Sequence, residues 1–163
     1  MTVRDIMPGD IGACLEIYNH YIENTVFTLE LEPLGFEDFS ARVGEISRRF
    51  PYLVCEAEGV IAGYAYLSLF RPRAGYRFTR DLAIYVRHDL RHTGAGRLLM
   101  EELISRASAD SDVRDIIATI TTENTVSIAF HEKMGFRMAG RLEGVAEKFG
   151  KRLGVVFMQK TLK

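Results

Sequence analysis

Apolar and polar positions alternate, then turn helical, within the first quarter of the chain. "TVRDIM" reads as a short strand. In "PGDIGACLEIYNHYIEN", helix-entry residues precede Ile11, Leu15, Tyr18 and Ile22, spaced as one face of an amphipathic helix. "GFEDFSARVGEISRRF" repeats that pattern with Phe36, Phe39, Val43, Ile46 and Phe50. "YLVCEAEGVIAGYAYLSLF" then predicts a hairpin, two β-rich runs joined through Glu58-Gly59. "YRFTRDLAIYV" predicts another strand, polar at its start and apolar at its end. A helix through Arg106, a buried strand at "VRDIIATI" and a short helix at "TVSIAFHEKM" follow, the last stopped by Gly135. Two late strands are expected around Phe136–Leu142 and Val155–Leu162. The order βααββ(β)αβαββ is that of an α/β protein, a mixed sheet with helices packed on it.

Composition adds bounds rather than direction. The 163 residues suit a single domain over 1–163, with 47% hydrophobic and 26% charged residues and a formal net charge of −1. That balance gives no pull toward nucleic acid or an anionic membrane surface, and no aromatic-basic interleaving adds one. The opening "MTVRDIMPGD" is charged where a secretory signal would be apolar, and no run reaches membrane-spanning length, so a cytoplasmic protein is expected. Cys14 and Cys55 each lie in an apolar stretch and read as small buried thiols rather than a disulfide.

"RHTGAG" is the segment with chemistry in it. It sits between the apolar "LAIYV" and the helical "RLLMEELISRA", so a strand enters a glycine-rich turn that opens a helix. Such a turn points backbone N–H groups into one concavity with the positive end of the helix dipole behind them. Gly94 and Gly96 would let a bulky anion approach the backbone, with Arg91 and Arg97 flanking it. The spacing is not a Walker loop. It also lacks the third glycine of a dinucleotide fingerprint.

"YVRHDLRHTGAGRLLMEELI" resembles the pyrophosphate-binding segment of the GNAT family of N-acetyltransferases, [Q/R]-x-x-G-x-[G/A]. "ENTVSIAFHEKMGF" is similar to that family's second signature helix. Within the family, "IYNHYIENT", "YLVCEAEGVIAGYAY", "YRFTRDLAIYV" and "KFGK…VFMQ" resemble the phosphinothricin and methionine sulfoximine acetyltransferases. The resemblance covers nearly the whole chain. It implies a mostly antiparallel sheet with splayed central strands flanked by helices, acetyl-CoA as co-substrate and a homodimer.

By the same resemblance, the backbone of Ile84, Tyr85 and Val86 would pair with the pantetheine arm like an added strand. Arg91, His92, Thr93, Gly94, Ala95, Gly96 and Arg97 would hold the pyrophosphate, and Asn124 would bond to the pantetheine. Asp81, where the subfamily usually has Glu, is the candidate general base, directly or through a water. His131 stands where much of the family has a tyrosine that protonates the departing thiolate; its near-neutral pKa suits proton transfer. Phe27, Phe70, Arg71, Arg73 and Tyr76 match substrate-contacting places, where a guanidinium could take a carboxylate bidentately.

Other constellations fail. His88 and His92 straddle a turn without a third ligand, so no metal site is expected, and Cys55 has no histidine nearby in sequence to make it a nucleophile. The subfamily's usual Asp ahead of the last strand is Gly154 here. The reading is acetylation of a small amino-acid-like amine. A protein or peptide α-amine acetyltransferase and a non-catalytic acyl-CoA-binding regulatory module are the alternatives.

Overall fold

The computed structural model describes residues 1–163. β1 (Thr2–Asp5) leads through a single turn into α1 (Ile11–Asn24), and α2 (Phe36–Ser47) follows a loop. β2 (Tyr52–Ala57) and β3 (Val60–Leu69) form the first hairpin, and β4 (Thr79–Val86) runs into α3 (Ala95–Ala109). β5 (Asp115–Thr121), α4 (Thr125–Lys133), β6 (Arg137–Lys148) and β7 (Lys151–Thr161) complete the chain. All strands join one sheet in the order β1-β2-β3-β4-β5-β7-β6. Every neighbouring pair is antiparallel except β4 and β5.

Two apolar clusters cover the two faces. On one, Leu99, Met100, Leu103 and Ala107 of α3 pack against Leu53, Leu67, Leu82 and Ile116, with Ile128 and Phe130 of α4 at the edge. On the other, Cys14, Ile17, Tyr18, Tyr21 and Ile22 of α1 meet Phe39 and Val43 of α2 over Tyr52, Val54 and Tyr64. Fully burying each large apolar side chain contributes about 1.5–3 kcal/mol, and this double layer fixes the sheet's orientation. The expected hairpin is present, and Glu58 (φ 52°) and Gly59 (φ 80°) both take the left-handed backbone of a tight two-residue turn. Both cysteines are free and buried. Burial pushes the Cys14 thiol up to about 12, which leaves it inert.

The structure corrects four local expectations. The buried stripe of α1 is Ile11, Cys14, Ile17, Tyr18, Tyr21 and Ile22, with Leu15 only partly covered, because two elements rather than one flank the helix. Phe36 begins α2 and is exposed. The strand expected from Tyr76 starts at Thr79, since Ala74–Tyr76 forms one 3₁₀ turn. The two late strands are longer than the pattern suggested and make a hairpin turned at Phe149 (φ 52°) and Gly150 (φ 69°). β6 is an edge strand with a largely solvated surface, so its alternation is faint.

Candidate functional site

β4 and β5 are partners only in their first halves. Their register runs from Thr79↔Asp115 to Leu82↔Ala118 and then ends, although β4 continues to Val86 and β5 to Thr121. Beyond Leu82, β4 keeps β3 on one side and no strand on the other. The Arg87 amide donates to the Ala62 carbonyl at 2.8 Å. Alternation along an antiparallel ladder therefore turns Ala83 and Tyr85 toward β3, and the backbone groups of Ile84 and Val86 toward the gap. The expectation for Ile84 and Val86 fits this open edge. Tyr85 is corrected: its backbone serves β3, and its ring packs into the aromatic cluster against Tyr18 and Tyr64. The Val86 carbonyl in the gap accepts from the Tyr21 hydroxyl at 2.6 Å. Gly63 was missed in the sequence; a Cβ there would lie 2.7 Å from the Tyr85 carbonyl, so glycine lets β3 follow β4 along the splay.

The gap leads to the glycine turn. Leu98 makes the first backbone bond of the α3 entry, to the Gly94 carbonyl at 3.1 Å, and no side chain caps the helix. The amides of Ala95, Gly96 and Arg97 are the free donors that such a helix start presents. The two glycines serve different ends. Gly94 has φ +97° in open space, so the backbone conformation demands it. At Gly96 a Cβ would press within 3.3 Å of Val86 Cγ2, so its absence keeps the turn close to the β4 edge. His92 also takes a left-handed backbone (φ 65°), and the Thr93 hydroxyl donates to the Leu90 carbonyl at 2.7 Å, shaping the turn. Arg91 lies 5.7 Å from the Tyr21 ring, whereas Arg97 is held by Glu101 at 2.7 Å. A cavity of about 580 Å³, lined in part by Arg97, Phe130 and Lys133, continues alongside between α3 and α4.

Asp81 stands where the strands part. It pairs with Ser68 of β3 and Ile117 of β5, and its side chain projects on the α1/α2 face, opposite to buried Leu82. Burial pushes its carboxyl up to about 6, against the lowering pull of the Arg71 guanidinium and the Leu82 amide. Thr119 is exposed on the same face although β5 is an interior strand, so the sheet is uncovered there. The loop after α1 packs on the same face. Phe27 packs at its base, and the Thr28 hydroxyl pairs with the Tyr18 hydroxyl at 3.0 Å. Lys148, only 2% exposed, donates from Nζ to the Thr28 carbonyl at 2.9 Å and ties the β6–β7 hairpin over this loop. Burial lowers its ammonium below the usual lysine range. Arg42 holds Glu30 of the same loop at 2.6 Å. Lys148, Arg42 and Glu30 could not be singled out from spacing, because they meet only through the fold.

The other expected residues divide. Arg71 lies over the Phe70 ring at 4.5 Å, close enough to Asp81 to act on its titration, and Tyr76 meets Phe70 edge-on at 5.7 Å. Arg73 is exposed, and its carbonyl accepts from the Tyr76 amide at 3.0 Å, a backbone contact that leaves its guanidinium without a hydrogen-bond or ion-pair partner. Asn124 caps α4, its side-chain oxygen accepting from the Ser127 amide at 3.2 Å, and its amide nitrogen is left without a protein partner. His131 is corrected as a ready acid. It is 1% exposed between Phe130 and Phe136, and its Nδ1 bonds the Ser127 carbonyl at 2.8 Å. Nδ1 therefore carries the proton, and the buried Nε2 is an unpartnered acceptor. Burial lowers its pKa, which favours this neutral form.

Gly154 has a physical reason. β6 bulges between Leu142 and Ala146, and a Cβ at 154 would sit 2.6 Å from the Leu142 carbonyl and 3.2 Å from Glu143 Oε2. No side chain fits there, and the carboxylate nearest that place belongs to Glu143. No group of three or more His, Cys, Asp or Glu residues is arranged to hold a metal.

Known proteins align with this chain over nearly its whole length. Residues 3–154 match the acetyltransferase (GNAT) domain. A phosphinothricin N-acetyltransferase of Alcaligenes faecalis is 36% identical over 99% of this chain and 82% of its own length. The L-methionine sulfoximine/L-methionine sulfone acetyltransferase of Pseudomonas paraeruginosa is 34% identical over 99% and 94%. Among solved structures, a phosphinothricin acetyltransferase from Sinorhizobium meliloti in complex with AcCoA superposes with a TM-score of 0.95, at 36% identity over 99% of this chain and 88% of that one. A ribosomal-protein-alanine N-acetyltransferase from Brucella melitensis does so equally, with a TM-score of 0.95 and 38% identity over 99% and 100%. The open β4 edge, the uncapped glycine turn and these full-length matches together place the chain in the GNAT family, and it is an N-acetyltransferase.

Proposed function

We propose that the chain transfers the acetyl group of acetyl-CoA to the primary amine of a small amino-acid-like compound of the phosphinothricin or methionine sulfoximine type. The observation that carries this reading is the place of Asp81, on the uncovered α1/α2 face of the sheet at the point where β4 leaves β5, where burial raises its carboxyl to about 6. Acetyl-CoA supplies an activated acyl group that an unprotonated amine attacks directly.

The residues present fit acetyl-CoA. The free backbone groups of Ile84 and the free amide of Val86 suit an extended amide-bearing arm, and the amides of Ala95, Gly96 and Arg97 suit a pyrophosphate. Asn124 offers its side-chain amide nitrogen to the arm. An amide at the open edge would stabilise charge growing on the thioester oxygen. Asp81, ionised above about pH 6, takes the proton of the incoming ammonium, directly or through one water. His131, neutral and buried with its Nε2 unpartnered, is not assigned the acid role, and the thiolate takes its proton from solvent or from the proton the amine releases. Arg71 is the candidate anchor for an acceptor carboxylate, with Phe27, Phe70 and Tyr76 as apolar walls. The reading includes a cytoplasmic homodimer, which light scattering checks for assembly.

The names of relatives favour amino-acid analogues, while the Brucella melitensis neighbour's name keeps a protein α-amine in view. Thiol release from acetyl-CoA, measured across phosphinothricin, methionine sulfoximine, methionine sulfone and an alanine-starting peptide, decides between them. Turnover on the small analogues at least tenfold above the peptide is expected. Preference for the peptide overturns the acceptor assignment, and absence of turnover on every amine favours a binding module.

A further inference from the structure

A cleft of about 360 Å³ lies on the opposite sheet face from Asp81, lined by Arg49, Phe50, Leu69, Arg77, Phe78, Arg80 and Asp112. Arg80 follows the alternation that turns its neighbour Asp81 to the other face, and Phe50 packs against the α3-side core. Each phenyl ring carries two guanidiniums. Arg77 and Arg114 lie 4.1 and 3.9 Å from the Phe78 ring, and Arg49 and Arg80 each lie 5.3 Å from the Phe50 ring. Backbone bonds hold this arrangement. The Phe78 carbonyl accepts from the Arg114 and Asp115 amides, and the Arg80 guanidinium donates to the Arg77 carbonyl at 2.5 Å.

None of these four arginines has a carboxylate within ion-pair distance, whereas Arg4, Arg42, Arg87, Arg97, Arg106 and Arg141 each do. Asp112 is the one acidic side chain in the lining. Four like charges gathered and pre-oriented by ring stacking repel one another, and a multivalent anion relieves that repulsion at little further ordering cost.

We infer that the Phe50–Phe78 cleft is a second ligand site, for a compact multivalent oxyanion of pyrophosphate size. The guanidinium forks match phosphate oxygens bidentately. Each ring already has two guanidiniums near it that compete with a nucleobase for its π-face, which favours a compact anion over a nucleotide. The site is separate from the glycine turn, which lies at the far end of β4.

Calorimetric titration with inorganic pyrophosphate tests it, using enzyme saturated with CoA so that the α3 turn is filled, at about 0.15 M salt. One binding event per chain is expected, weakened about tenfold in each of Arg49→Ala and Arg77→Ala and lost in the double variant. Both side chains are exposed and have no carboxylate partner, and unchanged melting temperatures would confirm intact folding. Absence of binding overturns the site, as does binding that both arginine variants leave untouched. Binding lost in Gly94→Val but kept in the arginine variants assigns the anion to the α3 turn instead, and it overturns the second site while leaving the acetyl-CoA reading intact.

Discussion

The Tyr21 hydroxyl donates to the Val86 carbonyl at 2.6 Å, so a helix side chain satisfies the acceptor that the missing strand leaves open. The same ring faces the Arg91 guanidinium at 5.7 Å, which links α1, the β4 edge and the glycine turn. Tyr21→Phe should therefore lower stability by about 1 kcal/mol and weaken acetyl-CoA binding several-fold, with kcat little changed. Thermal melts and calorimetry read the two effects. Unchanged affinity would remove Tyr21 from the cofactor edge.

The two glycines of the turn should fail differently. Gly94→Ala forces a left-handed backbone on a residue with a Cβ and should cost about 1 kcal/mol of folding stability. Gly96→Val meets Val86 and should spare most stability while reducing acetyl-CoA affinity about tenfold or more. Identical profiles for the two variants would contradict the separate roles.

This turn was legible from "RHTGAG" because glycine spacing, a preceding strand and a following helix are all local. The hairpin at Glu58-Gly59 and the α1 face were legible for the same reason. Which half of β4 loses its partner was not, since it depends on a register between strands more than thirty residues apart. That register also decides that Tyr85 serves β3 while Ile84 and Val86 face the gap. His131 read as a proton donor because helical spacing does not reveal that Phe130 and Phe136 enclose it. Lys148 was hidden in a polar edge strand, where nothing in the local pattern marks a lysine as buried.

Arg71 and Arg73, two residues apart, should part company in kinetics. Only Arg71 lies close enough to act on Asp81. Arg71→Ala should lower kcat/KM about ten- to a hundredfold on an amino-acid analogue and far less on its decarboxylated counterpart. Arg73→Ala should leave both acceptors within about twofold of wild type. Equal losses of Arg71→Ala on the two acceptors would mean a structural arginine.

Lys148→Met removes the link between the β6–β7 hairpin and the Thr28 carbonyl with little change in volume. KM for the amine should rise about fivefold or more while acetyl-CoA affinity holds, because the loop and hairpin wall only the acceptor side. An unchanged amine KM would contradict that placement.

Asp81 also makes a stability prediction with a definite sign. Its folded pKa of about 6 lies above the ordinary 3.8, so the ionised form is less favourable folded than unfolded. Asp81→Asn should stabilise the protein by about 1–2 kcal/mol near pH 8, after discounting for solvent screening. The gain should shrink as pH falls through 6 and vanish below about 4.

The pH dependence of kcat/KM on a small amino-acid analogue, measured for wild type, Arg71→Ala and Asp81→Asn, tests the catalytic account most directly. Wild-type activity should rise with pH through an apparent pKa of about 6 as Asp81 ionises. Arg71→Ala should move that limb upward, because the guanidinium holds the carboxyl down. Asp81→Asn should lose the limb and about a hundredfold in kcat while keeping acetyl-CoA affinity. The same limb persisting in Asp81→Asn at a near-normal rate would show that another group takes the proton.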